Sequence, residues 1–443
     1  MARFLDRYFQ LTAHRTSIRT EILAGATTFL TMAYIIFVQP AVLSAAGMDA
    51  GAVMVATCIA SAIGTLLMAL LANYPIGVAP AMGHNFFFAF SVVVAGGTPW
   101  QTALGAVAIA GLIFIVTAGI GLRERVMAAV PDSIKHAIAA GIGLLIALIG
   151  FQWSGIVVDS PGTLVTLGRL GSPPVLLALG TLAVMAILWA RGIPGALLIG
   201  MALSTIAALM MGLTQYQGLV APPPSIAPTF LQLDILGALQ PDLLSVTLVF
   251  FLLALFDSIG TLIGVTSRFG VGRDGRIPRV KPALLADAIG TVAGAVLGTS
   301  TVTAYIESST GVAAGGRTGL ASVVTALLFL LALFFHPLVR MIGGGYAVDG
   351  RTLYPIVAPA LILVGVMMMS SVREIRWDDP TDAIPSFLTL IVMPLAVSIT
   401  DGIAFGFIAF VVLKAATGRA REAHALTWIF AGVFLARYVL GLR

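Results

Sequence analysis

Stretches of about 20 consecutive apolar residues, the length that an α-helix needs to cross the hydrocarbon core of a bilayer, recur from one end of this sequence to the other. Hydrophobic residues make up 59% of the 443 positions and charged residues only 10%. Because roughly 25% of the residues of a soluble protein are charged, most of the surface of this chain must face lipid. Segments of about ten residues with alternating polarity, typical of an outer-membrane barrel, are absent from the sequence. We therefore predict an all-α polytopic membrane protein.

The apolar windows predict fourteen spans, seven on each side of the polar, proline-rich stretch Thr214–Pro241. The first seven are Ile22–Leu43, Ala52–Ala72, Ile76–Ala95, Thr102–Leu122, Lys135–Phe151, Pro174–Ala190 and Pro194–Leu213. The last seven are Leu243–Thr266, Pro282–Leu297, Thr301–Ala314, Gly319–His336, Thr352–Ser370, Ala383–Ser398 and Gly402–Lys414. A further apolar segment, Ala425–Leu442, contains Arg437, and the sequence leaves open whether it crosses the membrane or lies in the interface.

The positions of the basic residues support this count, because Lys and Arg are enriched in cytoplasmic loops. With a cytoplasmic N-terminus, the cytoplasmic segments carry Arg3, Arg7, Arg15, Arg19, Arg123, Arg125, Lys135, Arg191, Arg268, Arg273, Arg276, Arg279, Lys281, Arg317, Arg373, Arg376, Lys414, Arg419 and Arg421. The loops on the other side carry only Arg169, Arg340 and Arg351. We predict a bacterial inner-membrane protein with both termini in the cytoplasm.

Two pairs of segments indicate an internal repeat. The stretch LLANYPIGVAPAMGHNFFFAF parallels VLGTSTVTAYIESSTGVAAGG, and ARGIPGALLIGMAL parallels ITDGIAFGFIAF. Because each half has an odd number of spans, a 7+7 repeat must be inverted. The first pair of segments changes from extended to helical character partway along, so we predict that spans three and ten are broken into a short β-strand and a half-helix. Inverted repeats with matching interruptions are typical of transporters, whose binding site lies at the interruptions.

Few ionisable side chains lie inside the predicted spans. Asp257 lies near the middle of the eighth span, Asp287 opens the ninth, and Glu307 lies at the break of the tenth. His84 and Asn85 lie at the break of the third span. A carboxylate at this depth must be paired, protonated or facing water. A structural role would explain any one of the carboxylates, but two of them near matching interruptions favour a binding site.

Unpaired backbone is tolerated at membrane depth only if it is buried or lines a cavity. Ile76–Ala81 and Thr301–Ile306 are therefore predicted to pair as two short strands. The helices that begin near Gly83 and Ser308 would then point their free N–H groups at one point in the midplane.

The side chains around that point suit a flat heterocycle. Carboxylates accept hydrogen bonds from ring N–H groups, the Asn85 amide both donates and accepts, and the aromatic run Phe86, Phe87, Phe88 offers a stacking face. The sequence thus predicts as ligand a flat heterocycle with N–H groups and ring acceptors, stacked on one face.

Four motifs together resemble the nucleobase/cation symporter family of the nucleobase–ascorbate transporter superfamily. They are EILAGATTFLTMAYIIFVQP, APAMGHNFFFAF, LFDSIGTLIGV and TSTVTAYIESSTGVAAGGRTG. Within that family they are most similar to the azaguanine-type adenine, guanine and hypoxanthine permeases. The resemblance implies a core domain of residues 1–125 and 241–337 (spans one to four and eight to eleven) that moves against a gate domain of residues 126–240 and 338–443.

The resemblance also implies roles for individual residues. Asp257 and Glu307 would hold the base, Asp287 would support the site, and Asn85 would be a polar contact. The full predicted binding set is Asp257, Glu307, Asn85, Phe87, Phe88, Ala304, Ser308 and Thr28. His84 and Phe86 stand where these permeases more often have Leu and Ala, and Gln39 replaces an Asn. The role of His84 stays open between packing, capping and binding.

The mechanism that we expect is proton-coupled import of guanine, hypoxanthine or adenine by alternating access. Burial favours the neutral form of a carboxyl group, so Asp257 would take up a proton outside and release it inside, with Asp287 and Glu307 in support. The sequence does not exclude Na⁺ as the coupling ion, does not rank the purines, and leaves a homodimer open. We expect lipid as the surrounding partner, with no cofactor, no metal and no nucleic acid.

Other interpretations are a carrier of xanthine, uracil or an inorganic anion on the same architecture, and a membrane-embedded enzyme. Acidic groups at the site count against an anion carrier, and no nucleophile–base pair or metal cluster indicates an enzyme. The motif GVGRDG at Gly270–Gly275 fits G-x-G-x-x-G, but it lies in a basic loop without a preceding strand, so we reject a dinucleotide site there.

Overall fold

The computed structural model describes residues 2–120, 130–266, 279–348 and 350–439. Several sequence predictions lie outside these ranges: the end of the fourth span, the basic residues Arg123, Arg125, Arg268, Arg273 and Arg276, and the motif at Gly270–Gly275.

The described chain is mostly helical, with nineteen α-helices; their connections range from tight turns to the long non-helical segment 211–234. In the first half they are α1 Ala2–Phe9, α2 Ile18–Met32, α3 Ile35–Ser44, α4 Ala50–Leu67, α5 Met82–Phe86, α6 Trp100–Ile120, α7 Asp132–Trp153, α8 Pro173–Ala190, α9 Ala196–Met210 and α10 Ile235–Ala238. In the second half they are α11 Leu244–Thr266, α12 Val280–Leu297, α13 Ser308–Ala313, α14 Gly319–Ala332, α15 His336–Gly343, α16 Ala358–Met368, α17 Pro380–Ala396, α18 Ile399–Ala416 and α19 Ala425–Val439. Wider π-helical turns extend α4 over Met68–Ala72 and α5 over Phe87–Ala95, and 3₁₀ turns cover Pro241–Leu243, Leu333–Phe335, Met369–Glu374 and Ala420–Glu422.

The predicted class of a helical, multi-pass membrane fold is confirmed. Within the described ranges, nine helical segments are long and apolar enough to cross a membrane, and several apolar helices of 10–17 residues lie between them. Most of the predicted spans coincide with one of these helices to within a few residues.

Six short strands depart from a purely helical fold. They form three antiparallel pairs: β1 Val78–Pro80 with β4 Val302–Ala304, β2 Val157–Ser160 with β3 Leu164–Leu167, and β5 Tyr346–Val348 with β6 Arg351–Leu353. The first pair was predicted. The other two were missed, because the β2–β3 residues are largely exposed and the apolar residues of β6 read as part of a helix.

One predicted span needs correction. The twelfth span does not begin at Thr352, which lies in β6; its helix begins at Ala358, with a proline in the first turn, where the fixed backbone angle of proline favours a helix start. The first span is confirmed as one apolar helical segment, Ile18–Ser44, with a local turn at Ala33 and Tyr34 between α2 and α3. Hydropathy detects neither feature, since the residues on both sides are equally apolar.

The helices of the two halves pack into two groups. α14 contacts α2 and α4, and α12 contacts α4 and α6, so helices assigned to the predicted core domain pack across the halves. α7 contacts α16 and α17, and α17 contacts α18, among the helices assigned to the predicted gate. The domain limits themselves stay a prediction.

A buried ion cluster joins the ends of the gate helices. The Lys414 ammonium of α18 is 2% exposed and lies 3.4 Å from the equally buried carboxylate of Asp382 in α17 and 2.9 Å from that of Glu422. Arg419 bridges Glu422, at 2.7 Å, to Asp379, at 2.8 Å. Hydrogen bonds from Arg419 and Lys414 lower the pKa of Glu422 to about 2, so this carboxylate stays charged at physiological pH.

Replacement of Lys414 tests this cluster. Lys414→Ala leaves the buried Asp382 carboxylate with Arg376, at 3.1 Å, as its remaining cation. Removing one partner of a buried ion pair costs up to about 3–5 kcal/mol. We expect a clearly lower Tm of the detergent-solubilised protein, measured by thermal unfolding. Lys281→Ala, which removes an exposed lysine, is the matched control and should leave the Tm within error. Equal Tm values for the two variants would contradict a stabilising cluster.

Candidate functional site

The β1–β4 ribbon is the frame of the candidate site. Val78 pairs with Ala304, Ala79 with Thr303, and Pro80 with Val302, and all six residues are buried. The pairing continues beyond the strands, because the N–H of Ala81 donates to Thr301 O at 3.0 Å and that of Tyr305 to Gly77 O at 2.9 Å. The predicted pairing of Ile76–Ala81 with Thr301–Ile306 is confirmed.

Two threonines satisfy the outer edges of the ribbon in the same way. Thr65 in α4 donates its hydroxyl to Val78 O at 3.0 Å, and Thr291 in α12 donates to Val302 O at 2.8 Å. The N–H of Val78 also donates to the Thr65 hydroxyl at 2.9 Å. Each strand thus forms hydrogen bonds with the other strand on one side and with a neighbouring helix on the other.

Short helices follow each strand, as the sequence predicts. α5 begins at Met82 and α13 at Ser308. The Ser308 hydroxyl accepts the N–H of Gly77 at 3.0 Å, so it ties α13 to β1. Thr28 of α2 packs against Gly311 so closely that a Cβ there would collide with the Thr28 hydroxyl.

Three carboxylates gather around this frame. Asp257 in α11 accepts the hydroxyl of Thr303 at 2.9 Å, and Asp287 in α12 accepts the N–H of Ala304 at 3.3 Å. Asp257 lies near enough to Asp287 and Glu307 for their charges to interact. The structure therefore brings together Asp257, Asp287 and the segment that contains Ala304 and Glu307, which the sequence places in three different spans.

The three carboxylates differ in their exposure to solvent. Asp287 is fully buried, and its Oδ1 makes no hydrogen bond within the described part of the chain. Asp257 and Glu307 are only partly buried. A ligand can therefore reach Asp257 and Glu307 directly, whereas Asp287 supports the ribbon from behind through Ala304.

Glu307 lies directly before α13 and is contacted by residues at the turn of the first span. The Tyr34 hydroxyl donates to Glu307 Oε1 at 2.8 Å. The Thr31 hydroxyl lies 3.4 Å from the Glu307 carbonyl oxygen and 3.0 Å from the Thr310 hydroxyl. The sequence analysis did not single out Tyr34, Thr31 or Thr303; a tyrosine and threonines inside apolar spans were the only available signal.

Asn85 is fully buried on α5 and belongs to a polar network. Its Oδ1 accepts the Ser300 hydroxyl, and Gln39 Nε2 donates to Ser300 at 3.1 Å and to Thr299 at 2.9 Å. Asn85 Nδ2 makes no hydrogen bond among the described residues. Asn85 Nδ2 is thus the atom of this side chain that could still donate a hydrogen bond to a ligand.

The predicted aromatic face is closed in this conformation. Phe86, Phe87 and Phe88 are all 0% exposed, and the Phe87 ring lies 4.6 Å from that of Phe250 in α11, centroid to centroid. His84 is 3% exposed, and neither of its ring nitrogens makes a hydrogen bond within the described ranges. The stacking role of Phe87 and Phe88 and the role of His84 stay predictions.

The arrangement offers hydrogen-bond acceptors. Among the residues that the structure describes, no group of three or more His, Cys, Asp or Glu side chains is placed to hold a metal ion. Two partly exposed carboxylates beside a buried one can accept N–H groups of a ligand or exchange protons.

The sequence matches the model of a family described as Permease family over residues 19–405. Adenine permease AdeP of Escherichia coli strain K12 is 45% identical over 436 residues, which cover 98% of this chain and 96% of that protein. Guanine/hypoxanthine permease PbuG of Bacillus subtilis strain 168 is 44% identical over 450 residues, which cover 98% of this chain and 99% of that protein.

A solved structure shares the fold at low sequence identity. The transmembrane domain of the cyanobacterial bicarbonate transporter BicA superimposes with a TM-score of 0.61 at 18% identity, covering 87% of this chain and 97% of that domain. This likeness concerns the fold alone.

The threonine contacts of the ribbon can be tested by isosteric replacement. Thr291→Val removes the donor to Val302 O and leaves that buried carbonyl without its side-chain partner, at a cost of about 1–3 kcal/mol. We expect a lower Tm for Thr291→Val than for Thr291→Ser, which keeps the hydroxyl. Thermal unfolding in detergent measures both variants, and an unchanged Tm for Thr291→Val would mean that this hydrogen bond does not support the ribbon.

Proposed function

Because the chain belongs to this Permease family, a family of membrane transporters and not of enzymes, we propose that it imports purine nucleobases across the bacterial inner membrane. The observation that carries the proposal is the pair of partly exposed carboxylates, Asp257 and Glu307, beside the β1–β4 ribbon. The names of AdeP and PbuG, an adenine and a guanine/hypoxanthine permease, support a purine as the substrate.

The chemistry of the site supports a base with N–H groups. Glu307 Oε2 accepts an N–H from the edge of the purine, and Asp257 accepts a second N–H or carries a proton. Asn85 Nδ2 donates to a ring nitrogen or carbonyl oxygen. Phe87 and Phe88 stack on the base once the site opens. Ala304, Ser308 and Thr28 complete the set by holding the ribbon and α13 in place.

Proton coupling is part of the proposal. Asp257 binds a proton from the outside and releases it on the inside, and Asp287 holds the adjacent Ala304 N–H so that the ribbon keeps its position. Na⁺ coupling is the competing outcome. An inorganic anion is disfavoured as substrate, because the acidic side chains of the site would repel it.

The proposed cycle is alternating access of a 7+7 inverted repeat, with the core domain moving against the gate. The matched hydrogen bonds Thr65–Val78 and Thr291–Val302 support the repeat, since each half supplies one strand and one bracing threonine. The N-terminal basic residues lie on the cytoplasmic side, and the apolar helix faces contact lipid. A homodimer stays a prediction.

Uptake into proteoliposomes tests the proposal. Radiolabelled hypoxanthine, guanine, adenine, xanthine and uracil are offered with and without an inward proton gradient. We expect gradient-driven accumulation of purines, and a loss of affinity of about a hundredfold for Glu307→Ala, because N–H groups of the bound base would lose their acceptor. Glu374→Ala, which removes an exposed carboxylate, is the matched control.

Two results would contradict the proposal: no purine uptake, or purine uptake that is indifferent to Glu307. Accumulation of xanthine or uracil alone would instead favour the alternative substrate on the same fold. In the same assay Asp257→Asn should abolish the response to the proton gradient, and an unchanged pH dependence would rule out its role as proton carrier.

A further inference from the structure

The first span contains a turn at the point where it contacts Glu307. Helix α2 ends at Met32 and α3 begins at Ile35, so Ala33 and Tyr34 lie in a turn between two helical segments. Tyr34 is 1% exposed, whereas Glu307 is only partly buried. The phenol therefore reaches the carboxylate from inside the protein, while part of Glu307 remains exposed.

The contacts of this turn converge on one residue. Tyr34 donates to Glu307 Oε1 at 2.8 Å, and Thr31, one turn earlier, lies 3.4 Å from the Glu307 carbonyl oxygen. Both the side chain and the backbone of Glu307 are thus held by the same segment of the first span. A carboxylate with one oxygen fixed by a buried donor has a restricted orientation, and it presents its other oxygen to a ligand.

We propose, on the premise that Glu307 binds the purine, that Tyr34 is a positioning residue for substrate recognition. It fixes Oε1 so that Oε2 faces the N–H edge of the base. Tyr34 does not touch the base, so its effect passes through Glu307 alone. The turn at Ala33 and Tyr34 thus links the first span to the half-helix of span ten through Glu307.

Tyr34→Phe removes the hydroxyl and keeps the ring, so it isolates this hydrogen bond. We expect the KM for the transported purine to rise about tenfold, the size of effect expected from one hydrogen bond to a charged group, with a smaller change in kcat. Tyr216→Phe, which removes an exposed hydroxyl, is the control.

A double-mutant cycle with Glu307→Gln separates positioning from general damage. If Tyr34 acts through Glu307, the double variant transports no worse than Glu307→Gln alone. Additive losses would overturn the positioning role. The same cycle can be measured as Tm, which does not depend on the substrate. Non-additive changes in Tm for the variants at residues 34 and 307 would confirm the contact between them. If the wild type nevertheless took up no purine, the proposed function would be refuted but the contact would stand.

The last helix, α19, runs antiparallel to α18 along its whole length. At one end Arg437 lies 3.2 Å from the Asp401 carboxylate, and Tyr438 donates to the same oxygen at 2.7 Å. In the middle, the Phe407 ring lies 5.8 Å from that of Phe430, centroid to centroid. The Phe405 and Tyr438 rings are 6.1 Å apart.

This register fixes the direction of α19 relative to the membrane. Asp401 lies in the first turn of α18 and Lys414 in the last, about 20 Å apart at 1.5 Å per residue. The chain leaves α18 near Lys414, turns back through Ala420–Glu422, and returns to the level of Asp401 at Arg437. A helix lying in the interface would contact only the end of α18.

We infer that Ala425–Val439 crosses the membrane as an additional span, held at its far end by the Arg437–Asp401 ion pair. Residue 439 then lies on the opposite face from the basic turn at Arg419 and Arg421, which the distribution of charge places in the cytoplasm. This adds one span to the predicted fourteen and moves the end of α19 to the side opposite the cytoplasmic N-terminus. Arg437 suggested an interfacial segment only because its partner, Asp401, lies 36 residues earlier in the sequence.

Reporter fusions to the full chain test the direction of α19. Alkaline phosphatase, active only outside the inner membrane, or green fluorescent protein, fluorescent only inside, is attached after Arg443 in a bacterial host. We expect phosphatase activity without fluorescence. Fluorescence without phosphatase activity would overturn the additional span.

Reversal of the ion pair tests what holds the helix. Arg437→Asp places two carboxylates together and should shift the reporters toward the inside signal, and the exchanged pair Asp401→Arg with Arg437→Asp should restore the outside signal. An inside signal that the exchange does not correct would show that the ion pair does not hold α19 across the membrane. A variant that merely fails to fold cannot be restored in this way, so the exchange keeps the two explanations apart.

Discussion

The arrangement of the candidate site depends on the need to satisfy backbone hydrogen bonds in the middle of a membrane. A chain that leaves the helical conformation at that depth must find partners for its N–H and C=O groups. Here the partners are another interrupted segment and the hydroxyls of Thr65 and Thr291. Two distant parts of the sequence, β1 and β4, therefore pair at the centre of the molecule, and the side chains beside this pair form the candidate site.

The carboxylates follow from this frame. Thr303 and Ala304 belong to one strand and hold Asp257 and Asp287, which come from two different helices. Glu307 comes directly after the same strand and is held by Tyr34. Each of the three acidic groups accepts a hydrogen bond in this apolar environment, Asp257 and Asp287 from the ribbon and Glu307 from the first span.

The sequence predicts those parts of the site whose residues are unusual for a transmembrane helix. Asp257, Asp287 and Glu307 are conspicuous because charges are rare in apolar spans, and the ribbon is indicated by non-helical residues between helical ones. Tyr34 could not be predicted, because its role depends on a contact with a residue 273 positions away. The β2–β3 and β5–β6 hairpins were missed because short exposed strands leave no hydropathy signal.

The packing of Gly311 against Thr28 has a mechanical consequence. There is no room for even a methyl group between α13 and α2, and the Tyr34 and Thr31 contacts lie beside this point. The half-helix that begins at Ser308 is therefore packed against α2 without a gap at Gly311. Neither element can shift along the other unless this contact first separates, so a displacement of the segment after Glu307 has to be shared by α2.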